Sequence, residues 1–167
     1  ILWGILVALG LLATYLGYLF SWGIQPLYFW LAVIGFGWAY SISQYLKKRK
    51  NTRVITLAGK LLGAIWLSAG VAMTMFGFVA TTAGALRGVF VSPSIAVVLG
   101  MAFFVSSFLH GEPWMKWIAL LWWIGAAVMF YFPGLHTVMM MASMMIMLQV
   151  LPGIYLYRKY KAETAAL

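Results

Sequence analysis

Apolar residues come in long runs along this chain, and short polar, glycine- or proline-containing stretches separate them. A helix rises about 1.5 Å per residue, so a helix that crosses a bilayer needs about 20 mostly apolar residues. Runs of that length lie at about 1–20, 27–46, 54–79, 90–109, 114–132 and 137–157. The pattern predicts an all-α membrane protein with six transmembrane helices.

The breaks between the runs are short and favour tight turns between neighbouring helices. Proline suits the first turn of a helix, where its missing N–H costs no hydrogen bond. Prolines stand at or near the start of four runs: Pro26, Pro93, Pro113 and Pro133. We therefore expect three antiparallel hairpins, over 1–46, 54–109 and 114–157, within a single transmembrane domain that covers 1–167.

The composition agrees with a lipid environment. Hydrophobic residues make up 65% of the chain and charged residues 8%, and the mean hydropathy is +1.00. Soluble domains are about half apolar and about a quarter charged. The chain contains no cysteine, which excludes disulfides, thiol catalysis and cysteine metal sites.

The positions of lysine and arginine predict the orientation, because cytoplasmic loops hold an excess of both. Five basic residues lie in 47–53, Lys116 follows the fourth break, and three more follow the last run, whereas only Arg87 falls on the opposite side. Both termini are therefore expected in the cytoplasm. The first run lacks a basic leader and a cleavage site, so we expect a retained helix rather than a signal peptide.

The net charge of +9 has a simple interpretation in this topology. Basic residues next to a membrane attract anionic headgroups, whereas no nucleic-acid-binding motif is present. Lys60 is the one charge inside a predicted span, where it either snorkels to the cytoplasmic surface or forms an anion site. The residues expected to meet lipid headgroups are Lys60, Lys47, Lys48, Arg49, Lys50 and Arg53.

Small residues recur at a spacing of four, a pattern that lets helices approach closely in lipid. The packing they predict is either within the chain or against a partner chain. The stripes are Gly35, Ala39 and Ser43; Gly59 and Gly63; Ala64 and Ser68; and Ala102 and Ser106.

Residues with reactive side chains are scarce. The chain has no Asp, and it has no G-x-S-x-G or H-E-x-x-H motif. His110 and Glu112 stand two residues apart at a predicted turn, where they form either an acid–base pair or half a metal site. A turn and helix-capping role is the preferred interpretation, because a cation at a helix end and an anion at the next start suit both dipoles.

The stretch 136–153 is rich in methionine and raises the question of copper. His136, Met140, Met144 and Met147 fall on one face of a regular helix, and thioether and imidazole groups are suitable Cu(I) ligands. Other methionines in the stretch point elsewhere, and methionine is a common filler of irregular cores. Packing is therefore preferred, and the four-residue face remains a candidate metal site.

Several short motifs resemble those of an uncharacterised group of six-helix bacterial inner-membrane proteins. The three-hairpin plan is similar to that of the HdeD-like acid-resistance membrane proteins. The resemblance implies a multi-pass inner-membrane protein, and it implies no catalytic residue. The motifs are Leu2-Trp3-Gly4, the stretch 64–70 (AIWLSAG), Trp114-Met115-Lys116-Trp117 and the stretch 151–160 (LPGIYLYRKY).

The function that we expect is non-enzymatic: an accessory or structural subunit that packs against other membrane proteins and needs no cofactor. A small transporter or channel is the alternative, and a copper- or pigment-binding protein is a third possibility. The residues that would line a polar path are Gln44, Lys60, Thr74, Ser106 and Gln149.

Overall fold

The structure is a computed structural model that describes residues 1–21, 23, 26–51 and 56–165, without the side chains of 26, 27, 45, 48–51 and 163–165. The described chain is all-helical, with 89% helix and six helices. Helix α3 ends in a π-helical segment and a short last turn, and α6 contains a π-helical segment in its middle. The helices are α1 (Leu2–Leu19), α2 (Pro26–Asn51), α3 (Leu57–Thr74, then Met75–Val79 and Ala80–Thr82), α4 (Val91–His110, after a 3-10 turn at Gly88–Phe90), α5 (Trp114–Tyr131) and α6 (His136–Met144, Met145–Val150 and Leu151–Ala165).

Five of these helices are long and apolar enough to cross a membrane, which confirms the prediction of a multi-pass membrane protein. Helix α2 is confirmed as a helix of 26 residues, but its crossing of the membrane stays a prediction. Its tyrosines, tryptophans, serines and lysines make it less hydrophobic than the other helices. The five spans are Leu2–Leu19, Leu57–Thr82, Gly88–His110, Trp114–Tyr131 and His136–Ala162.

Several helix ends differ from the predicted runs; α6, for example, continues to Ala165 instead of ending at 157. Helix α2 continues to Asn51 instead of ending at 46, because lysine and arginine are good helix formers and suit the negative end of the helix dipole. Helix α3 begins at Leu57 instead of 54. The hydroxyl oxygen of Thr56 accepts a hydrogen bond from the Gly59 amide at 3.2 Å, which caps the helix start.

The described chain divides into two compact units: unit 1 contains Ile1–Gly37 and Val138–Leu167, and unit 2 contains Trp38–Thr137. The divisions fall within α2 and α6. The expected single domain over 1–167 stays a prediction.

In unit 1, a tryptophan of α1 packs over a glycine of α2, and a tryptophan of α2 packs over a glycine of α1. A Cβ atom on Gly37 would lie 2.6 Å from the Trp3 ring, and one on Gly10 would lie 2.8 Å from the Trp30 ring. The Trp30 indole N–H donates to Thr14 Oγ1 at 3.1 Å, and the Thr14 hydroxyl donates to the Gly10 carbonyl at 2.8 Å. Glycine is required at both positions because the indole occupies the space of a side chain.

The π-helical segment Met145–Val150 lies directly before Pro152. Proline has no N–H, and its ring clashes with the carbonyl four residues earlier, here that of Leu148. The wider turn relieves this clash: the Leu151 amide donates to Ile146, five residues back, rather than to the residue four back. One extra residue per turn rotates the side chains that follow relative to a regular α-helix.

Unit 2 has its core between α3, α4 and α5. The Trp66 indole of α3 packs edge-on against Phe103 of α4, with ring centroids 5.4 Å apart. In the contact between α4 and α5, Gly100 leaves room for the Trp123 indole, whose Cε2 would lie 2.9 Å from an added Cβ. The Trp123 N–H donates to the Val97 carbonyl at 3.3 Å.

Candidate functional site

The candidate copper residues differ in their exposure. His136 is exposed, and its Nε2 donates to the Phe132 carbonyl at 2.7 Å. Met144 is buried, whereas Met147 is 64% exposed. A regular helix places these two methionines on one face, but Met147 belongs to the π-helical segment, where that spacing fails.

The other members of the methionine stretch complete this picture. Met140 is half-buried, and Met141 and Met145 are buried in the packing of the helix. Within the part of the chain that the structure describes, no three His, Asp or Glu side chains gather at a metal-binding distance. The methionines of α6 that are buried therefore serve as core residues, as the packing interpretation expects.

The basic residues lie at or beyond helix ends. Lys60 is exposed and stands in the first turn of α3, where its amide donates to the Thr56 carbonyl at 3.0 Å. Because α3 starts later than predicted, Lys60 is closer to the end of the helix than the sequence indicates. Lys47 is exposed on α2. Lys48, Arg49 and Lys50 lie in α2 with side chains outside the described set, and Arg53 lies outside the described residues.

The residues of the candidate polar path differ in what their polar atoms contact. Gln44 and Lys60 are exposed, and the half-buried Thr74 donates its hydroxyl to the Gly70 carbonyl at 2.8 Å. Ser106 is fully buried, and its oxygen accepts the Trp66 indole N–H at 3.2 Å. Thr74 and Ser106 are therefore committed to contacts within unit 2.

Gln149 is different from these four residues. It lies in the π-helical segment of α6, and its Oε1 is buried without a hydrogen-bond partner among the described residues. Its Cγ would lie 3.3 Å from a Cβ on Gly4 of α1, so the side chain reaches the contact between α1 and α6 in unit 1. A polar atom of this kind is unusual in a membrane span, where unpaired groups are costly.

The turn between α4 and α5 holds the pair His110 and Glu112. Gly111 has a left-handed φ of 67°, and the Glu112 amide donates back to the Ser107 carbonyl at 3.1 Å, a common way to end a helix. His110 Nδ1 donates to the Ser106 carbonyl at 3.1 Å. These contacts fit the turn and capping interpretation.

Sequence reasoning missed the role of Trp114 in this turn. Its indole N–H donates to Oε2 of the buried Glu112 at 2.7 Å. The signal was present, because a carboxylate two residues before a tryptophan at a helix start is within reach of its indole. Lys116 also contributes here, with its Nζ 4.3 Å from the centre of the exposed Phe108 ring.

One face of α3 is exposed along much of the helix. Within the Leu57–Thr74 part of α3, the only described residue that is buried is Ala69. Gly63, Ala64 and Ser68 are all exposed, and no described atom lies within 4 Å of a Cβ placed on Gly63. We call Gly63, Ala64, Leu67 and Ser68 the outer face of α3.

The chain was compared with protein-family models, with curated proteins and with solved structures, and it matches none of them. The resemblance to the HdeD-like membrane proteins therefore stays a prediction, and function is inferred from the residues themselves.

Proposed function

We propose that this chain is a non-enzymatic accessory or structural subunit of the bacterial inner membrane, which works by packing against other membrane proteins. Its six helices form three antiparallel hairpins with both termini in the cytoplasm. Anionic lipid headgroups meet the basic residues on the cytoplasmic side, including Lys47 and Lys60.

The outer face of α3 is the observation that carries this proposal. In lipid there is no hydrophobic drive between helices, and small residues favour association because they let two backbones approach. Gly63, Ala64 and Ser68 are exposed within unit 2, so they do not serve the packing of that unit. The Ser68 hydroxyl donates to the Ile65 carbonyl at 2.9 Å, so its hydrogen bond is already made within α3.

The order of contacts along the helices supports the first hairpin, of α1 and α2, and an antiparallel arrangement of α4 and α5, which belong to successive hairpins. In unit 1, Trp3 pairs with Gly37 and Trp30 pairs with Gly10, so residue numbers rise on one helix as they fall on the other. In unit 2, the Phe90 and Phe130 rings stack with centroids 6.2 Å apart, and Lys116 lies over Phe108. Both patterns are typical of antiparallel neighbours.

Site-directed crosslinking tests the proposal, because a chain without cysteine accepts a single introduced one. A photoreactive maleimide on Gly63→Cys is irradiated in native membranes, and Leu121→Cys serves as the control. Leu121 is 49% exposed on α5, away from the outer face of α3. We expect a discrete protein adduct from position 63, none from position 121, and loss of the adduct when Ser68→Leu is added.

Purification in mild detergent provides an independent outcome. A monodisperse lone monomer, together with lipid adducts alone from both probe positions, would contradict the proposal. A change of adduct yield with Ser68→Leu separates a specific partner from proteins that collide by chance, because only a packed neighbour responds to a bulkier face.

A small transporter or channel is the second candidate, favoured by the buried and unpartnered oxygen of Gln149. Flux of ions and small solutes into liposomes that contain the purified protein tests it. Transport that falls with Gln149→Met and persists with Gln44→Met would support this function. Absence of flux for every solute tested contradicts it, and a colourless, metal-free preparation argues against the copper- or pigment-binding alternative.

A further inference from the structure

Most hydroxyl groups of the described helices donate to carbonyls of their own helix. The donors take carbonyls three or four residues back, the usual way for serine and threonine to satisfy a hydroxyl inside a helix. Such groups have no donor left to offer a ligand. They include Thr14 with Gly10, Thr74 with Gly70, Thr81 with Gly77, Ser94 with Phe90, Ser107 with Phe104 and Ser143 with Met139.

Two buried polar atoms in the five spans have no hydrogen-bond partner among the described residues: the Trp122 indole N–H, in unit 2, and Gln149 Oε1, which is the acceptor in unit 1. The π-helical segment before Pro152 carries the Gln149 side chain, whose Cγ lies 3.3 Å from the position of a Cβ on Gly4 of α1. π-helical segments of this kind are frequent at functional sites.

We infer that Gln149 Oε1 is the acceptor of a small, neutral hydrogen-bond donor bound within unit 1. An amide oxygen accepts and has a partial negative charge, so an anion does not bind to this atom. The described charged side chains of unit 1 are Arg158, Lys159 and Lys161 in the last part of α6, all basic, so no described side chain of the unit offers a cation a counter-charge. An O–H group is a donor and is neutral, so it fits this acceptor. Water and a small hydroxyl-bearing solute are its two sources.

This inference is independent of the proposed partner binding. The outer face of α3 lies in unit 2 and Gln149 lies in unit 1, and different measurements test them. Loss of one therefore leaves the other standing.

Infrared spectroscopy of the side-chain carbonyl tests the inference directly. The chain has three glutamines, at 25, 44 and 149, and Gln44 is exposed. A Gln25→Met and Gln44→Met double variant labelled with [5-13C]glutamine reports Gln149 alone. If that variant does not fold, subtracting the spectrum of labelled Gln149→Met from that of labelled wild type isolates the same band.

The two sources of the donor give different spectra. With water bound, we expect the carbonyl band at a hydrogen-bonded frequency in solute-free buffer and at the free frequency in a dried film. With a solute bound, the band lies at the free frequency in extensively washed protein and moves to the hydrogen-bonded frequency when glycerol is added. Gln149→Met protein shows no such band.

Two results overturn the inference. One is a band at the free frequency both with and without glycerol, which means that the oxygen is buried without any donor. The other is a hydrogen-bonded band that responds neither to drying nor to glycerol, which means that the donor is part of the protein.

Discussion

Replacement of Gly100 by alanine tests whether tryptophan-on-glycine contacts hold the helices together. An added Cβ would overlap the Trp123 indole, with Cε2 at 2.9 Å and Nε1 and Cδ1 closer still. The indole cannot yield cheaply, because it is a rigid ring whose N–H donates to the Val97 carbonyl at 3.3 Å. It is also packed against Phe104, with ring centroids 5.6 Å apart.

The size of the effect follows from two opposing terms. Overpacking a well-packed core costs about 1–3 kcal/mol, whereas alanine gains about 0.5–1 kcal/mol over glycine inside a helix. Because the added Cβ lies under 3.0 Å from a rigid ring, the upper part of the overpacking range applies, and a net loss of about 1–2.5 kcal/mol remains. At about 2–4 °C per kcal/mol for a chain of this size, the thermal midpoint should fall by about 2–10 °C.

Intrinsic tryptophan fluorescence during a thermal scan in detergent measures this fall, and Gly63→Ala is the matched control. Both glycines lie in helices of unit 2, but no described atom lies within 4 Å of a Cβ on Gly63. We therefore expect Gly63→Ala to keep or raise the midpoint. If Gly100→Ala is as stable as Gly63→Ala, the contact does not constrain the helix pair and the reasoning is refuted.

Three further changes have defined outcomes. Ser106→Ala should lower the free energy of unfolding by about 1–3 kcal/mol, because the Trp66 indole loses its buried acceptor. Adding Trp66→Phe to this variant should lower it little further, and additive losses in a double-mutant cycle would contradict the hydrogen bond. Thr56→Ala should lower the thermal midpoint through loss of an N-cap of about 1 kcal/mol, whereas Thr56→Ser should not. Because Met144 is buried and Met147 is exposed, a Cu(I) titration monitored by metal analysis should show no stoichiometric uptake, and stoichiometric uptake lost on Met147→Leu would disagree.

The helices could be predicted from sequence because the apolar residues that a membrane span needs are consecutive in the chain. Each span must be apolar over its whole length, whatever it packs against, so runs such as 90–109 and 114–132 correspond closely to α4 and α5. The ends are harder to predict. Lysines that follow a span, as at Lys47, continue a helix as readily as they end it.

The contacts could not be predicted, because they depend on which helices are neighbours. Nothing in the sequence assigns Trp3 to Gly37 or Trp123 to Gly100, which are far apart along the chain. The methionine face stays a prediction, but its spacing assumed a regular helical period, and the π-helical segment that precedes Pro152 departs from that period. The sequence contained the proline, but not the way in which the backbone accommodates it.

The glycines with occupied neighbours also explain why the outer face of α3 favours a partner. A tryptophan ring packs against each of Gly10, Gly37 and Gly100, in the space that a side chain would fill. A glycine that faces only lipid gains no such contact, because a larger apolar residue would pack better against the acyl chains and would favour the helix more. Gly63 is exposed in unit 2 with no described neighbour to fill its space. Its small size is therefore best explained by the close approach of another helix, which the crosslinking experiment at this position detects directly.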